Sequence, residues 1–280
     1  MRLLRWSAIL LCVASILFCG WATYTYRQKQ NSDIPSLISD CDLLEISVAD
    51  GKEALMKGLS AHDKTDGDLT DQIMIASTSH FIEQGVVKVK YVVFDSHNNS
   101  ATLTRKVKYV DYTSPHFALD TSPVYVKGAS FDLLRYIQVE DALDGDISDH
   151  IRILSSAVSN YTTGTFPLVL SVSNSCGDTA QVELMVTYAE KEDLTADIRL
   201  REYILYLEEG ADFDAEDARN QLVYAAAPGG QPIDFDRIEI GGALDPHTAG
   251  TYHLTYSYVD GNVRGQANLT VVVEKAGDAE

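Results

Sequence analysis

The stretch that decides the fold is DKTDGDLTD at residues 63–71, because it recurs as DALDGDISD at residues 141–149. The two copies lie 78 residues apart, and every aspartate and the glycine fall in register. A fixed period of this kind is typical of small structural units repeated along a chain. The repeat therefore predicts two related domains of about 80 residues each.

A second pattern begins at a glycine and occurs three times, as GVVKVKYVVFD at 85–95, GTFPLVLSVSN at 164–174 and GTYHLTYSYVD at 250–260. The second, fourth, sixth and eighth residues after each glycine are apolar or aromatic, which is the alternation of a β-strand with one buried face. Each copy ends in a turn, and another alternating segment follows it, at 102–109, 180–188 and 267–273. Each copy therefore predicts a β-hairpin.

The third copy lacks the acidic loop, but GADFD at 210–214 echoes GASFD at 128–132 in the second. These patterns predict three tandem domains at 40–111, 112–189 and 193–275, with a polar spacer at 27–39 and a tail at 276–280. Short strands with turn signals about every 8 to 12 residues are typical of β-sandwiches. The predicted fold is therefore all-β, with three tandem sandwiches.

An uncharged segment of 21 residues, Trp6–Tyr26, precedes these domains. As a helix it would extend roughly 31 Å, close to the roughly 30 Å of a bilayer core. We therefore predict a transmembrane helix at 6–26, a cytoplasmic N-terminus at 1–5 and an extracellular body, which is a single-pass location in the cell membrane. The alternative is a secretory signal cleaved near Gly20-Trp21-Ala22, which would release the protein.

Charge restricts the partners of the body. The formal net charge is -19, and residues 1–30 contain four basic residues and no acid, so the rest of the chain carries a net charge of -23. Such a surface repels phosphate backbones and anionic lipid headgroups, which argues against nucleic-acid binding. Outside the N-terminal segment only Cys41 and Cys176 remain, in different predicted domains, where they are either free thiols or a bridge between domains folded back on each other.

The pattern Ala61-His62-Asp63-x-x-Asp66-Gly67-Asp68-Leu69-Thr70, with Gly85 opening a strand and Asp95 before a turn, resembles a known family. It is similar to the bacterial Ig-like domains found in tandem on surface proteins of Gram-positive bacteria and alongside some pesticidal crystal proteins. The third domain, with Gly250-Thr251-Tyr252 and the run LTVVV at 269–273, resembles a related bacterial Ig-like group. The resemblance implies Ig-like sandwiches, which serve as stalks, spacers or adhesive modules.

The acidic loops are the candidate metal sites. Their carboxylates offer oxygen ligands to structural Ca²⁺, which takes six to eight of them. The spacing does not match an EF-hand loop, and Asp-Gly-Asp also suits a solvated turn, so both interpretations stand. The candidate ligands are Asp63, Asp66, Asp68, Asp71, Asp141, Asp144, Asp146 and Asp149.

No other motif points to chemistry. The seven histidines form no metal-binding spacing, and neither a nucleophile elbow nor a nucleotide-binding glycine motif is present. We therefore expect no enzyme, no catalytic residue and no cofactor other than structural calcium. Tyr203 and Tyr206 suit either core packing or an exposed strand of a binding face.

The leading functional hypothesis is a membrane-anchored, extracellular Ig-like protein that acts as a surface stalk or as an adhesion and interaction module. Its expected partner is a protein, a cell-wall polymer or a host surface. The alternative is a structural or assembly subunit of a cell-envelope complex. A secreted Ig-like protein is the third possibility, if the N-terminal segment is cleaved.

Overall fold

The computed structural model describes the backbone of residues 2–30, 34–130 and 132–275, with side chains from 11–25 in the first of these segments. Two compact units are present, Met1–Asp111 and Tyr112–Glu280. The predicted tail at 276–280, three residues of the spacer and Phe131 lie outside the described residues. The predicted domain boundaries stay predictions.

Helix α1 (Arg2–Gln30) contains the predicted membrane span. Within the described residues, no helix is long and apolar enough to cross a membrane. This finding contradicts the predicted transmembrane helix at 6–26, and with it the predicted single-pass location with a cytoplasmic N-terminus and an extracellular body.

The first unit folds into two facing sheets in its described part. One has the order β1-β3-β4, and the other has the order β2-β7-β6-β5, in which β2 pairs with β7 in parallel and the other neighbours are antiparallel. Its elements are β1 (Ser36–Ser39), β2 (Leu43–Ile46), α2 (Gly51–Ala54), β3 (Leu59–Asp63), β4 (Gly67–Asp68), β5 (Met74–Thr78), β6 (Val86–Phe94) and β7 (Ser100–Tyr109), with 3₁₀ helices at Val48–Asp50 and Thr70–Gln72.

The predicted alternation places the core of this unit. In β6 the side chains of Val87, Val89, Tyr91 and Val93 are fully buried, while the residues between them reach the surface. The Tyr91 hydroxyl donates to the carbonyl of Leu55 at 2.7 Å, so even the polar end of the buried ring has a partner. One face of the hairpin therefore forms the sandwich interior.

The second unit contains two further pairs of sheets. The first pair has the orders β8-β10-β11 and β9-β14-β13-β12, and the second has the orders β15-β17-β18 and β16-β21-β20-β19. The elements of the first pair are β8 (His116–Leu119), β9 (Val124–Val126), β10 (Ile137–Asp141), β11 (Gly145–Asp146), β12 (Arg152–Ser156), β13 (Gly164–Ser173) and β14 (Thr179–Ala189), with 3₁₀ helices at Leu133–Tyr136 and Ser148–His150. Those of the second pair are β15 (Asp197–Leu200), β16 (Ile204–Glu208), α3 (Ala215–Asn220), β17 (Leu222–Ala227), β18 (Gln231–Pro232), β19 (Glu239–Gly241), β20 (Gly250–Asp260) and β21 (Val263–Glu274), with 3₁₀ helices at Lys191–Asp193 and Phe235–Arg237.

All three sheet pairs have one strand order, with the second strand parallel to the last. The first two pairs also share a register shift, between Ile75 and Ser77 and, 78 residues later, between Ile153 and Ser155. The prediction of an all-β chain with three tandem Ig-like sandwiches is confirmed. We call the three pairs the first, second and third sandwich.

Candidate functional site

The acidic loop of the first sandwich is a closed hydrogen-bonded turn. Asp63, at the end of β3 and only 3% exposed, accepts the backbone N–H groups of Thr65 and Asp66 on its Oδ1, at 2.8 and 2.9 Å. These donors, the N–H of Asp66 foremost, hold the pKa of Asp63 below its usual value. The loop is therefore organised around an ionised, buried carboxylate.

Asp66 ties this loop to the hairpin turn after β6. Its two carboxylate oxygens accept the backbone N–H and the hydroxyl of Ser96, at 2.7 and 2.8 Å. Beside Ser96, Asp95 is 6% exposed and accepts the N–H groups of His97 and Asn99 on Oδ1, with the Asn99 amide on Oδ2 at 2.7 Å. The Asp66 carboxylate thus joins two turns that belong to opposite sheets.

The pKa of Asp95 lies below its usual value, although two effects oppose each other. Burial pushes this pKa up, but the side-chain amide of Asn99 and the N–H groups of Asn99 and His97 together outweigh it. Asp68 accepts the N–H of Thr70 at 2.9 Å, and the hydroxyl and N–H of Thr70 lower the pKa of Asp68. Asp71 lies exposed in the 3₁₀ helix that follows.

The second sandwich repeats this construction. Asp141 Oδ1 accepts the N–H groups of Leu143 and Asp144 at 2.9 Å, and Asp144 accepts the N–H and hydroxyl of Ser175 at 2.6 and 2.8 Å. Asp146 accepts the N–H and hydroxyl of Ser148, which lower the pKa of Asp146. Asp149 is exposed in the 3₁₀ helix Ser148–His150. The matched acids are therefore matched in structure too.

The two copies differ where the hairpin turn meets the buried aspartate. In the second sandwich Asn174 donates its amide to Asp141 Oδ2 at 3.0 Å and to the Tyr112 hydroxyl at 2.8 Å. Asp95 occupies the matching place in the first sandwich, and a carboxylate has no hydrogen to donate. Asp63 Oδ2 is buried without a hydrogen-bond partner, and the charge of Asp95 acts against its ionisation.

The carboxylates of both loops are thus largely occupied by donors from the turns themselves. Within the described residues, no group of three or more His, Cys, Asp or Glu side chains is placed to hold a metal ion. The structure brings Asp63 together with Asp66, and Asp141 with Asp144, but leaves Asp71 and Asp149 at the surface. Calcium binding by all eight acids stays a prediction.

A second candidate site is the contact between the second and third sandwiches, inside one unit. One continuous cluster of buried apolar side chains includes residues of both, from Phe117 to Val273. The N–H of Phe117 donates to the Tyr206 hydroxyl at 2.9 Å, and the N–H of Tyr203 donates to the carbonyl of Leu119 at 3.1 Å. Strand β8 of the second sandwich therefore lies against β16 of the third.

Polar side chains complete this contact. His116 Nε2 lies 3.0 and 3.1 Å from the two carboxylate oxygens of Glu274, and its ring stacks on Tyr206 with centroids 4.1 Å apart. The buried Asn268 amide donates to the Thr187 hydroxyl at 2.8 Å. Burial raises the pKa of Tyr206 to about 12, so its hydroxyl keeps its proton at neutral pH.

Tyr203, just before β16, and Tyr206, within it, therefore do not form a free binding face. Tyr203 is 4% exposed and Tyr206 is half-buried against the neighbouring sandwich, which agrees with the packing interpretation. Sequence reasoning did not find the contact itself. Its signal was weak, because Thr187 and Asn268 are buried polar residues in strands that carry several other polar residues.

A cavity of about 380 Å³ lies in the third sandwich. Its two charged lining residues, Asp214 and Arg219, already have partners: Asp214 caps α3 by accepting the N–H groups of Glu216 and Asp217, and Arg219 donates to backbone carbonyls. The cavity walls are otherwise mostly apolar, including Phe213, Leu244 and Leu254. These contacts give both charged groups a structural role.

The chain is similar to known Ig-like proteins. Residues 208–273 match the family model described as bacterial Ig-like domain (group 3). The pesticidal crystal protein Cry22Aa of Bacillus thuringiensis is 31% identical over 144 residues, which cover 49% of this chain and 19% of that protein. The chain therefore spans about a fifth of the length of this curated relative. The predicted resemblance to bacterial Ig-like domains is confirmed.

Two solved structures show weaker similarity. Drosophila N-cadherin EC1-3 is 12% identical with a TM-score of 0.30, covering 86% of this chain and 100% of that one. The lipoprotein BT2262 from Bacteroides thetaiotaomicron is 16% identical with a TM-score of 0.25, covering 55% of this chain and 98% of that one.

Proposed function

We propose that this chain, whose residues 208–273 match the model of bacterial Ig-like domain (group 3), is a non-enzymatic interaction module in which the second and third sandwiches act as one stiff spacer. The observation that carries the proposal is the continuous buried cluster shared by these two sandwiches. Tandem domains joined only by a flexible linker move independently, whereas a shared apolar core resists such motion.

The polar contacts support stiffness as well. Asn268 and Thr187 are 5% and 4% exposed and hydrogen-bond to each other across the contact. Separating the sandwiches would expose their apolar neighbours to water, and each such side chain loses about 1.5–3 kcal/mol of burial when fully exposed. A spacer of this kind holds whatever it presents at a fixed distance and orientation.

Residual dipolar couplings of the full-length chain test the proposal. Amide couplings from 112–189 and from 193–275 should fit one alignment tensor, because both sandwiches reorient together. Two clearly different tensors, or one much smaller order parameter for the third sandwich, would show that the contact opens in solution and would remove the spacer.

Adhesion through the third sandwich is the second candidate function. On the sheet β15-β17-β18, Val223 and Tyr224 are 51% and 42% exposed, and the guanidinium of Arg199 lies 5.0 Å from the Tyr224 ring. Exposed aromatic and arginine side chains are enriched among the residues that dominate binding energies. Wild type should therefore co-sediment with purified peptidoglycan more strongly than Tyr224→Ser, with Tyr161→Ser as the exposed control. Equal sedimentation of all three would count against this face.

A further inference from the structure

Asp63 and Asp95 place two buried carboxylates at one point of the first sandwich. They are 3% and 6% exposed, and they accept hydrogen bonds from uncharged groups, namely the backbone N–H groups of Thr65, Asp66, His97 and Asn99 and the Asn99 amide. Buried charges are ordinarily paired or bound to a metal ion, because desolvation of an uncompensated ion is expensive. The first sandwich therefore contains a negative site that its own donors only partly satisfy.

The unsatisfied atom is Asp63 Oδ2. It is shielded from solvent and has no hydrogen-bond partner, whereas its counterpart on Asp141 receives the Asn174 amide at 3.0 Å. The second sandwich thus shows what belongs at this position, namely a group with positive charge density pointed at the oxygen. In the first sandwich Asp95 replaces that donor by a second acceptor.

We infer that the first sandwich, and not the second, binds one Ca²⁺ between Asp63 Oδ2 and the Asp95 carboxylate. Ca²⁺ is the hard cation that accepts carboxylate oxygens in irregular geometry and completes its shell with carbonyls and water. The N–H groups that lower the pKa of both acids keep them ionised, as ligands must be. With two protein carboxylates the affinity should be weak, with Kd on the order of 1 mM, as in extracellular modules.

The location differs from the one suggested by the loop pattern. Asp68 and Asp71 belong to the repeated acidic motif but are exposed, and they take no part in the site. Asp95 does take part, although it lies outside the motif and is Asn174 in the second copy. The four-acid loop is thus shared by two sandwiches, while the cation site belongs to one.

Scanning calorimetry of the full-length chain, dialysed against a chelator, tests the inference. About 10 mM CaCl₂ is compared with about 30 mM NaCl, which has the same ionic strength and corrects for screening of the negative surface. At about ten times Kd, Ca²⁺ should raise the Tm of the first unit by about 5 °C beyond the NaCl effect. Amide NMR shifts on adding Ca²⁺ should be largest at Thr65, Asp66, His97 and Asn99.

Three variants localise the effect. Asp95→Asn restores the donor of the second sandwich, so it should raise the Tm without Ca²⁺ and abolish the response. Asp71→Asn removes an exposed acid of the same loop and should keep the response. Asn174→Asp recreates the paired carboxylates in the second sandwich and should lower the Tm of the second unit and confer a Ca²⁺ response there.

Several results would overturn the inference. A wild type that responds no more to CaCl₂ than to NaCl has no site, and an undiminished response in Asp95→Asn places the ion elsewhere. Loss of the response in Asp71→Asn assigns binding to the acidic loop. The Tm of the wild type could instead rise on acidification from about pH 7 to 5 and not with Ca²⁺, with no such rise in Asp95→Asn. That result would show that a proton, and not a cation, satisfies Asp63.

Discussion

Replacing Tyr206 by Phe should loosen the contact between the second and third sandwiches. The Tyr206 hydroxyl accepts the backbone N–H of Phe117 at 2.9 Å, and Phe117 is only 2% exposed. The variant keeps the ring that stacks on His116 and removes a single oxygen. The buried N–H of Phe117 is then left without its acceptor.

The expected cost follows from that unpaired donor. A buried backbone N–H without an acceptor costs about 1–3 kcal/mol. For a unit of this size, each kcal/mol lowers the Tm by about 2–4 °C, so calorimetry of the full-length chain should show the second unit melting about 5 °C lower. Hydrogen exchange at the Phe117 amide should accelerate, because its protection depends on the lost acceptor.

The matched control is Tyr252→Phe. The Tyr252 hydroxyl donates to the carbonyl of Thr248 at 2.8 Å at a solvent-accessible position, where water replaces the lost partner, so its Tm should change by less than about 2 °C. Equal losses in the two variants, or unchanged exchange at Phe117 in Tyr206→Phe, would refute the reasoning that this hydrogen bond joins the two sandwiches.

Three further perturbations have defined outcomes. Gly242→Ala should lower the free energy of unfolding by about 2–3 kcal/mol or more, because Gly242 has φ +117° and a Cβ there would lie 2.3 Å from the carbonyl oxygen of His253. The control Gly229→Ala, at φ +83° with no atom within 4 Å of the new Cβ, should cost about 1 kcal/mol. Similar urea midpoints for the two variants would contradict this. Arg105→Ala should cost about 2–4 kcal/mol in urea unfolding, since the buried guanidinium donates to the carbonyl of Leu55 at 2.7 Å, against less than about 0.5 kcal/mol for the exposed Arg135→Ala. The lowered pKa values of Asp63, Asp68 and Asp95 stabilise the first unit above the unfolded-state pKa of about 4, and this stabilisation is lost as the pH falls through the lower folded values; a urea midpoint that stays constant from about pH 5 to 2 would contradict it.

Strand alternation was enough to predict the sandwiches. A β-strand with one buried face must alternate, so Val87, Val89 and Tyr91 could be placed in the core from their spacing alone. The strand pattern that begins at a glycine placed the core in all three sandwiches, and the 78-residue spacing of the acidic loops recurs in the register shifts of β5 and β12. Local patterns of this kind predict the structure correctly because each depends only on neighbouring residues.

The contact between sandwiches had no such local signal. His116 and Glu274 are 158 residues apart, and neither segment contains a pattern that predicts contact with the other. The apolar N-terminal stretch correctly predicted a helix, α1, but within the described residues no helix is long and apolar enough to cross a membrane. The acids of the loops were likewise found from their spacing. Whether the second carboxylate oxygen of the buried aspartate has a hydrogen-bond donor, however, depends on a residue in a turn about 30 residues away, Asp95 in the first sandwich and Asn174 in the second.

The turn after the long strand shows how two copies of one scaffold diverge without a change in total charge. The first sandwich has Asp95 and Asn99, and the second has Asn174 and Asp178, which are the same residue types in opposite order. In the second sandwich the acid stands at the outer position, where Asp178 accepts the Tyr112 hydroxyl at 2.7 Å, and the amide faces Asp141. In the first, the acid stands inside, facing Asp63. This exchange leaves the composition and hydropathy unchanged, so its effect is electrostatic. It moves one negative charge from the rim of the sandwich to a buried position beside the charge of Asp63. One copy thereby gives its buried aspartate an amide donor, and the other places a second carboxylate beside it.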